Sequence, residues 1–176
     1  MPQQKPTVRS AKPDDIFALT SVYAETQRAT YQGIIPHDAL DLAIGRRKPE
    51  WWRRNLGSGS TTLILEYDAR PEGYVTYGPS RYGDIAYQGE IYEIYIRPAY
   101  QGCGFGRQLF ESAKKAMGSS GLNGTMLWTI ESNEPALAFF RRLQGEPFAR
   151  DNIMYRTKTL TRIALGWLEA NDGTQS

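Results

Sequence analysis

The chain has 176 residues, of which 40% are hydrophobic, and this is enough to fill one core but short for two. Its 21 basic and 19 acidic residues leave a formal charge of +2 and are spread along the chain, which argues against a nucleic-acid partner. The single cysteine, Cys103, excludes an internal disulfide, and its combination with only one histidine, His37, argues against a metal site.

The sequence has no segment predicted to enter a membrane. The amino-terminal residues lack an apolar stretch after their charges, and no run of about 18 apolar residues occurs anywhere. The lone cysteine fits a reducing compartment. We therefore expect a cytoplasmic protein without a membrane partner.

The first half of the chain is predicted to form a strand, three helices and a hairpin. Residues 7–11 are typical of a short strand, and Asp14 and Asp15 favour a helix start directly after Pro13. The remaining predicted elements are a helix opened by Pro36, a helix opened by Pro49, and an antiparallel hairpin of strands 61–67 and 73–77 joined by residues 68–72.

The second half alternates strands and helices before ending in a second hairpin. Residues 78–89 are polar and predict a loop, and the strand that follows is apolar on both faces, as expected of a central strand. The later predictions are a helix that runs to Met117 and stops at Gly118, a strand at 125–130, a helix capped by Ser132 or Asn133, and strands at 148–156 and 160–167.

This order predicts a single mixed α/β (α+β) domain with a mostly antiparallel central sheet flanked by helices. The strand–helix–strand unit from Glu90 to Ile130 should place its two strands parallel with a right-handed crossover. The hairpins on either side should be antiparallel.

The stretch from Glu90 to Met117 contains the main functional signal. An apolar strand stops at Pro98, and the chain passes through a glycine-rich turn at 101–106 into an amphipathic helix. Glycines let the backbone approach a ligand closely, and a helix start offers unpaired N–H groups and the positive end of its dipole. The arrangement predicts a phosphate-binding turn, although a tight strand-to-helix connection alone would use the same residues.

Two common phosphate-binding motifs do not fit this turn. Arg107 and Gln108 follow the last glycine, where a Walker motif has lysine and a hydroxyl residue. Gly102, Gly104 and Gly106 miss the dinucleotide-binding spacing by one residue, and the turn lies after a hairpin rather than in a first βα unit.

The turn does match the pattern Q/R-x-x-G-x-G/A, with Gln101, Gly104 and Gly106 at the signature positions. Here the sequence resembles the GNAT superfamily of acyl-CoA-dependent N-acyltransferases. In that family the loop amides hold the pyrophosphate of acetyl-CoA, and the preceding strand pairs with the pantetheine arm.

The resemblance extends over most of residues 7–168. Residues 8–15 look like the family's opening strand and first helix, and residues 133–143 look like its N-x-x-A-x-x-F-Y-x-x-L-G segment. Residues 164–167 are similar to the A-Y-G-W ending of one bacterial branch. The resemblance implies an acyl-CoA N-acyltransferase fold over residues 1–168, and we expect 169–176 to be a frayed tail.

The resemblance also implies acetyl-CoA as co-substrate and assigns residues to it. The residues implied are Ile94 and Ile96 for main-chain hydrogen bonds to pantetheine, Gln101, Gly102, Cys103, Gly104, Phe105, Gly106 and Arg107 for the pyrophosphate, and Asn133 and Phe140 beyond the next strand. Cys103 is not expected to act as a nucleophile, because it has no histidine partner nearby in the sequence.

The family reaction requires a base, because the acceptor amine attacks the thioester directly without an acyl-enzyme. Glu90 lies eleven residues before Gln101, a position similar to the glutamate base of the histone-acetylating branch, and is our first candidate. Glu93 is the second, and simple alternation places it on the other face of the strand. Both could instead be solvated carboxylates at a strand end.

The group that protonates the departing thiolate is missing from its usual place. The family has a tyrosine where this chain has Phe140, which carries no exchangeable proton. Water or another tyrosine, such as Tyr92, Tyr95 or Tyr155, would have to serve, although each of these is also a candidate core residue.

We therefore predict an N-acetyltransferase acting on a primary amine of a small molecule or peptide. The alternatives are a GNAT-like domain that binds acyl-CoA with little turnover, suggested by Phe140, and a nucleotide-binding module of another class. The acceptor pocket is expected near residues 31–52 and 78–89, whose aromatic side chains could equally cap the core. Because the family often dimerises, a homodimer is a further expectation.

Overall fold

A computed structural model of the protein describes residues 5–83 and 86–168. Within these ranges the helices are α1 (Ile16–Tyr31), α2 (His37–Arg46), α3 (Pro49–Asn55), α4 (Phe105–Ser119) and α5 (Glu134–Arg142). The strands are β1 (Thr7–Ser10), β2 (Thr61–Tyr67), β3 (Arg70–Pro79), β4 (Gly89–Ile96), β5 (Thr125–Ile130), β6 (Glu146–Tyr155) and β7 (Lys158–Trp167). The predicted tail, 169–176, lies outside the described residues.

The strands form one sheet in the order β1-β2-β3-β4-β5-β7-β6. Strands β4 and β5 are parallel, and every other neighbouring pair is antiparallel. This confirms the predicted mixed sheet, its parallel unit and its flanking hairpins.

Several predicted boundaries were wrong by one to three residues, among them the starts of β6 and β7, which are Glu146 and Lys158 rather than 148 and 160. The first hairpin turns at Asp68 and Ala69, which both have positive φ (51° and 58°), so β3 begins at Arg70 rather than at residue 73. Positive φ at both central residues is the requirement of a two-residue turn that matches the strand twist. Helix α4 continues past Gly118 to Ser119, and the chain leaves it through Gly121, whose φ is 79°.

The sheet divides the apolar residues unequally between its faces. On the α4 and α5 face one continuous cluster includes Leu109, Phe110, Met117 and Leu165, all at most 1% exposed. On the other face, α1 and α3 pack on Ile64 and Tyr74. Smaller clusters there surround Ile130 and Met126.

A β-bulge interrupts the pairing of β3 with β4. Thr76 lies opposite Glu93, whereas the next residue, Tyr77, lies opposite Ile91, so Tyr92 is an extra residue on β4. Such an insertion resets the alternation of side chains and bends the strand.

No helix within the described residues is long and apolar enough to cross a membrane.

Candidate active site

The strands β4 and β5 pair over only three residues. Gly89–Ile91 lies opposite Thr125–Leu127, and the register ends there, at the bulge. On its other edge β4 stays bonded to β3, where the amide of Arg97 donates to the carbonyl of Glu72. Because backbone groups alternate between the two edges of a strand, those of Ile94 and Ile96 are directed into the gap beside β5.

The glycine turn lies at the end of this gap and opens α4. Gly102 and Gly104 have φ of 79° and 83°, a region that residues with a β-carbon enter at a cost. Gly104 is the N-cap and offers no side-chain cap, so the first amides of α4 stay available to an anion. A β-carbon on Gly106 would lie 3.1 Å from the ring of Phe139.

The other predicted loop residues lie around these amides. Gln101 folds back, and its Nε2 donates to the carbonyl of Ile96 at 3.0 Å. Cys103 and Arg107 are exposed, whereas the ring of Phe105 is buried and stacks on Tyr100. The loop therefore presents backbone and Arg107 outward and anchors itself through Phe105.

Asn133 and Phe140 occupy different environments on α5. Asn133 is buried and caps the helix, accepting a hydrogen bond from the amide of Ala136. Phe140 is 5% exposed and packs edge-on against Trp167 in the large core cluster. Phe139, rather than Phe140, is the ring next to the glycine turn.

Glu90 is a buried carboxylate held by one arginine. Its side chain is 3% exposed. Oε2 accepts the backbone N–H of Arg81 at 2.8 Å, and Oε1 accepts Nη2 of the same residue at 2.7 Å. The guanidinium of Arg81 lies 4.1 Å from the centre of the Tyr92 ring. Arg81 therefore packs against the residue that forms the bulge.

Glu93 is paired with a different arginine, Arg47, which follows α2. Both guanidinium Nη atoms donate to the carboxylate, and the hydroxyl of Tyr74 donates to Oε2 at 3.0 Å. Burial disfavours the charge on Arg47, but Glu93 more than offsets this, so the pKa of the guanidinium is raised.

The predicted placement of Glu93 on the opposite face from Glu90 was wrong. Glu93 lies across from Thr76 and Glu90 across from Gly78, and these two residues of β3 share a face because they are two apart. The inserted Tyr92 brings both carboxylates to the face covered by α1 and α3.

Tyrosine hydroxyls gather beside the gap on this face. Burial is the largest cause that raises the pKa of Tyr31, and the nearby Tyr155 adds to it. Hydrogen bonds with Tyr95 and Asn133 act in the opposite direction, and the net result is a pKa of about 12. Burial likewise raises the pKa of Tyr95. Tyr92, another of the candidate acids named from the sequence, already donates to the carbonyl of Pro79 at 2.6 Å. Tyr31 and Tyr95 therefore remain protonated at neutral pH.

The sequence profile described as the acetyltransferase (GNAT) family matches residues 20–145. The chain belongs to the GNAT acetyltransferase family. Its members are acyltransferases with acetyl-CoA as co-substrate, so the chain is an enzyme of that class. A relative over almost the whole length is the uncharacterized N-acetyltransferase YuaI of Bacillus subtilis, which is 30% identical over 163 residues, or 92% of each protein.

Other similarities are more local or more distant. A mycothiol acetyltransferase of Streptomyces bingchenggensis is 38% identical over 71 residues, which are 40% of this chain and 23% of that protein. Two solved structures share the fold. The PaiA N-acetyltransferase of Thermoplasma acidophilum, in complex with coenzyme A, has a TM-score of 0.71 at 19% identity and covers 90% of this chain and 98% of its own. YncA of Salmonella typhimurium, a putative acetyltransferase with acetyl-CoA, has a TM-score of 0.67 at 19% identity, with coverages of 93% and 94%.

The geometry of this chain fits coenzyme A. The gap beside Ile94 and Ile96 offers an extended row of backbone donors and acceptors, which suits the amides of a pantetheine arm. The uncapped start of α4 suits a pyrophosphate. A β-carbon at Gly104 would require a strained backbone, so the open shape of this turn depends on its glycines.

Two arginines of the site were predicted only as part of the acceptor region, without their carboxylate partners. Arg47 lies 46 residues from Glu93, and Arg81 lies nine residues from Glu90. Tyr31 was assigned only to the acceptor region. A charge count gives no sign of such pairing, because each arginine could equally be a solvated surface residue.

Proposed function

We propose that this protein transfers an acetyl group from acetyl-CoA to a primary amine of a small molecule or peptide, directly within a ternary complex. The observation that carries the proposal is the divergence of β4 from β5 beside an uncapped α4, with two carboxylates of β4 on one face. Acetyl-CoA supplies a thioester whose C–S bond breaks as the amine nitrogen bonds to the acetyl carbon.

The backbone holds the co-substrate in this proposal. The amides of Phe105, Gly106 and Arg107 bind the pyrophosphate, and Ile94 and Ile96 bind the pantetheine arm. A backbone N–H of β4 near Ile96 stabilises the charge on the carbonyl oxygen, at no cost of reorganisation. Arg107 is exposed and free to approach a phosphate.

Glu90 is the proposed base that takes a proton from the acceptor ammonium. Its carboxylate is desolvated and fixed by Arg81, and a fixed acceptor geometry favours proton transfer. Glu93, on the same face, is the proposed second carboxylate and lies next to Ile94 at the gap. Its pairing with Arg47, beside the predicted acceptor region, suits it to orient the acceptor.

Tyr31 and Tyr95 are the proposed partners of the leaving thiolate. A thiol has an ordinary pKa of about 8.5, well below that of Tyr31, which is raised to about 12. The tyrosine would therefore stabilise the thiolate by donating a hydrogen bond rather than by giving up its proton. Solvent can protonate the sulfur afterwards.

Thiol release from acetyl-CoA across a panel of amines and short peptides tests this function. We expect turnover with at least one amine and a roughly hundredfold or greater loss of kcat/KM in Glu90→Gln, the usual effect of removing a general base. Asp14→Asn is a matched control, because Asp14 is an exposed carboxylate on the 3₁₀ turn before α1. Undiminished transfer by Glu90→Gln would contradict the assignment of the base.

A second candidate function is acyl-CoA binding with little turnover. The observation that favours it is the absence of a hydroxyl at Phe140. Calorimetry with coenzyme A combined with the thiol-release panel separates the two, because a binder gives heat without turnover. A gain of turnover in Phe140→Tyr would favour this candidate, whereas we expect none because the ring is packed on Trp167.

A further inference from the structure

The guanidinium of Arg47 lies inside a box of aromatic rings. Its Cζ atom is 3.8 Å from the centre of the Trp51 ring and 4.9 Å from that of Tyr23. Glu93 and Tyr74 complete the arrangement, since the carboxylate accepts hydrogen bonds from both Arg47 and the hydroxyl of Tyr74. We call these five residues the Arg47 box.

Stability alone gives a weak reason for this ion pair. The side chains of Arg47 and Glu93 are only 22% and 15% exposed, so both charges lose most of their hydration. A desolvated pair of this kind often stabilises a fold no more than apolar residues of the same size would. A role in recognition explains its presence better.

The hydrogen-bonding capacity of Arg47 is only partly used. A guanidinium carries five N–H donors, and Arg47 directs one fork toward Glu93. Among the described residues, Nε of Arg47 has no hydrogen-bond acceptor. The same side chain can therefore take a second anion, or exchange Glu93 for one, without leaving the face of Trp51.

The box lies where an acceptor must arrive under the proposed function. Arg47 is on the connection between α2 and α3, within the region predicted to line the acceptor pocket. Glu93 precedes Ile94, whose backbone is directed into the gap between β4 and β5. A ligand that engages Arg47 would thus lie beside the proposed path of the thioester.

The charges on this face narrow the class of acceptor. Among the described residues, three carboxylates of this face are each matched by an arginine, in the pairs Arg47–Glu93, Arg81–Glu90 and Arg162–Asp151. A polyamine would have to displace an arginine from one of these three carboxylates, and a simple alkylamine would offer nothing to Arg47. An acceptor that carries its own carboxylate can exchange one internal ion pair for two with the protein and leave the total charge unchanged.

We infer that the acceptor is a free α-amino acid or a close analogue, whose carboxylate binds Arg47 while its ammonium lies against Glu93. This inference rests on the proposed function and specifies its substrate class. Arg47 and Glu93 are specificity residues in it, whereas Glu90 remains the base.

Matched acceptor triplets test the inference. For leucine, phenylalanine, methionine and glutamate, acetyl transfer is measured with the amino acid, its α-carboxamide and the corresponding decarboxylated amine. We expect at least one series in which the amino acid has the highest kcat/KM, by roughly tenfold to a hundredfold, the range for loss of a charge-assisted arginine contact.

Variants of Arg47 test whether the preference for the amino acid depends on the Arg47 box. Arg47→Met keeps an unbranched side chain over Trp51 but removes the charge, and we expect it to abolish the advantage of the amino acid by raising its KM roughly tenfold or more. The KM for acetyl-CoA should stay unchanged. Arg47→Lys keeps the charge without the fork and should recover only part of the preference. Arg53→Met is the matched control on α3, where Arg53 is exposed and pairs with Glu50.

The outcomes separate this inference from the proposed function. Equal or better use of the carboxamides and decarboxylated amines in every series overturns the inference and leaves the transferase intact. An amino-acid preference that survives in Arg47→Met overturns it as well. Absence of turnover with every amine and peptide would instead refute the transferase itself.

Discussion

At the scale of single residues, a substitution at Gly104 would strain the backbone without crowding neighbouring atoms. Its φ is 83°, yet among the described residues no heavy atom beyond its two chain neighbours lies within 4 Å of the position that a β-carbon would take. Gly104→Ala should therefore strain the turn by about 1–2 kcal/mol and obstruct the approach of a pyrophosphate. We expect the Kd for coenzyme A, measured by calorimetry, to rise roughly tenfold or more.

The control for this change is on the same helix. Gly118 has no left-handed φ and open space around its β-carbon position, so Gly118→Ala should increase the free energy of unfolding by about 0.5–1 kcal/mol. Coenzyme A should bind it as it binds the wild type. Equal weakening in both variants would mean that the turn has no direct role in binding.

Asp15 predicts a pH-dependent contribution to stability. Hydrogen bonds from Arg9 lower its pKa against the opposing effect of burial, and the backbone N–H of Lys12 also lowers it. A lowered carboxyl pKa stabilises the fold above the unfolded value of about 3.9, and this stabilisation is lost as the pH falls below that value.

We therefore expect Asp15→Asn to lower the free energy of unfolding by about 1–2 kcal/mol near pH 7. The difference from the wild type should shrink as the pH falls below about 4. Urea titrations between pH 3 and pH 7 measure this. A difference that did not vary with pH would mean that Asp15 acts through packing rather than through its charge.

The single-residue predictions from sequence succeeded where a local pattern existed. The glycine turn and a helix cap at Ser132 or Asn133 were predicted from consecutive residues, and the structure shows the turn and places the cap at Asn133. The pairings of Arg47 and Arg81 depend on how distant segments meet, which no local pattern encodes. The roles of Glu90 and Glu93 in catalysis stay predictions.

At the scale of elements, one extra residue in β4 prevented a correct prediction of which side chains share a face. The apolar pattern located the strand and its parallel partner correctly. Alternation then failed between Glu90 and Glu93, because an inserted residue such as Tyr92 leaves an almost unchanged run of apolar and aromatic residues. A bulge becomes visible only in the register with the neighbouring strand.

Helix α5 gives a prediction about packing. Phe140 is buried against Trp167 in the large cluster on the α4 and α5 face of the sheet. Phe140→Ala should therefore lower the free energy of unfolding by about 3–5 kcal/mol. We also expect weaker acetyl-CoA binding, because α5 carries Phe139 against Gly106 of the turn. Phe140→Leu, which preserves most of the volume, is the control. Normal affinity in a folded Phe140→Ala protein would separate α5 packing from the cofactor site.

At the scale of the whole molecule, the sheet consists of two parts joined by three paired residues of β4 and β5. A ligand lying in the gap would supply the hydrogen bonds that these strands do not make to each other. Coenzyme A should therefore slow hydrogen exchange at Ile94, Ile96 and the first amides of α4. Leu63 and Val75, which are paired within the β2–β3 hairpin, serve as internal references and should change little.

The unequal burial on the two faces of the sheet affects how easily substitutions can change the acceptor preference of this fold. Among the described residues, the α4 and α5 face holds sixteen buried residues in one cluster, whereas the opposite face holds clusters of seven, five and three. Substitutions on the face of the smaller clusters leave the large cluster intact, so acceptor preference can change while the packing on the α4 and α5 face is retained. Combinatorial libraries that vary Arg47 together with its partner Glu93, and Trp51, should accordingly yield mostly folded proteins with altered acceptor choice, because no buried charge is then forced to remain unpaired.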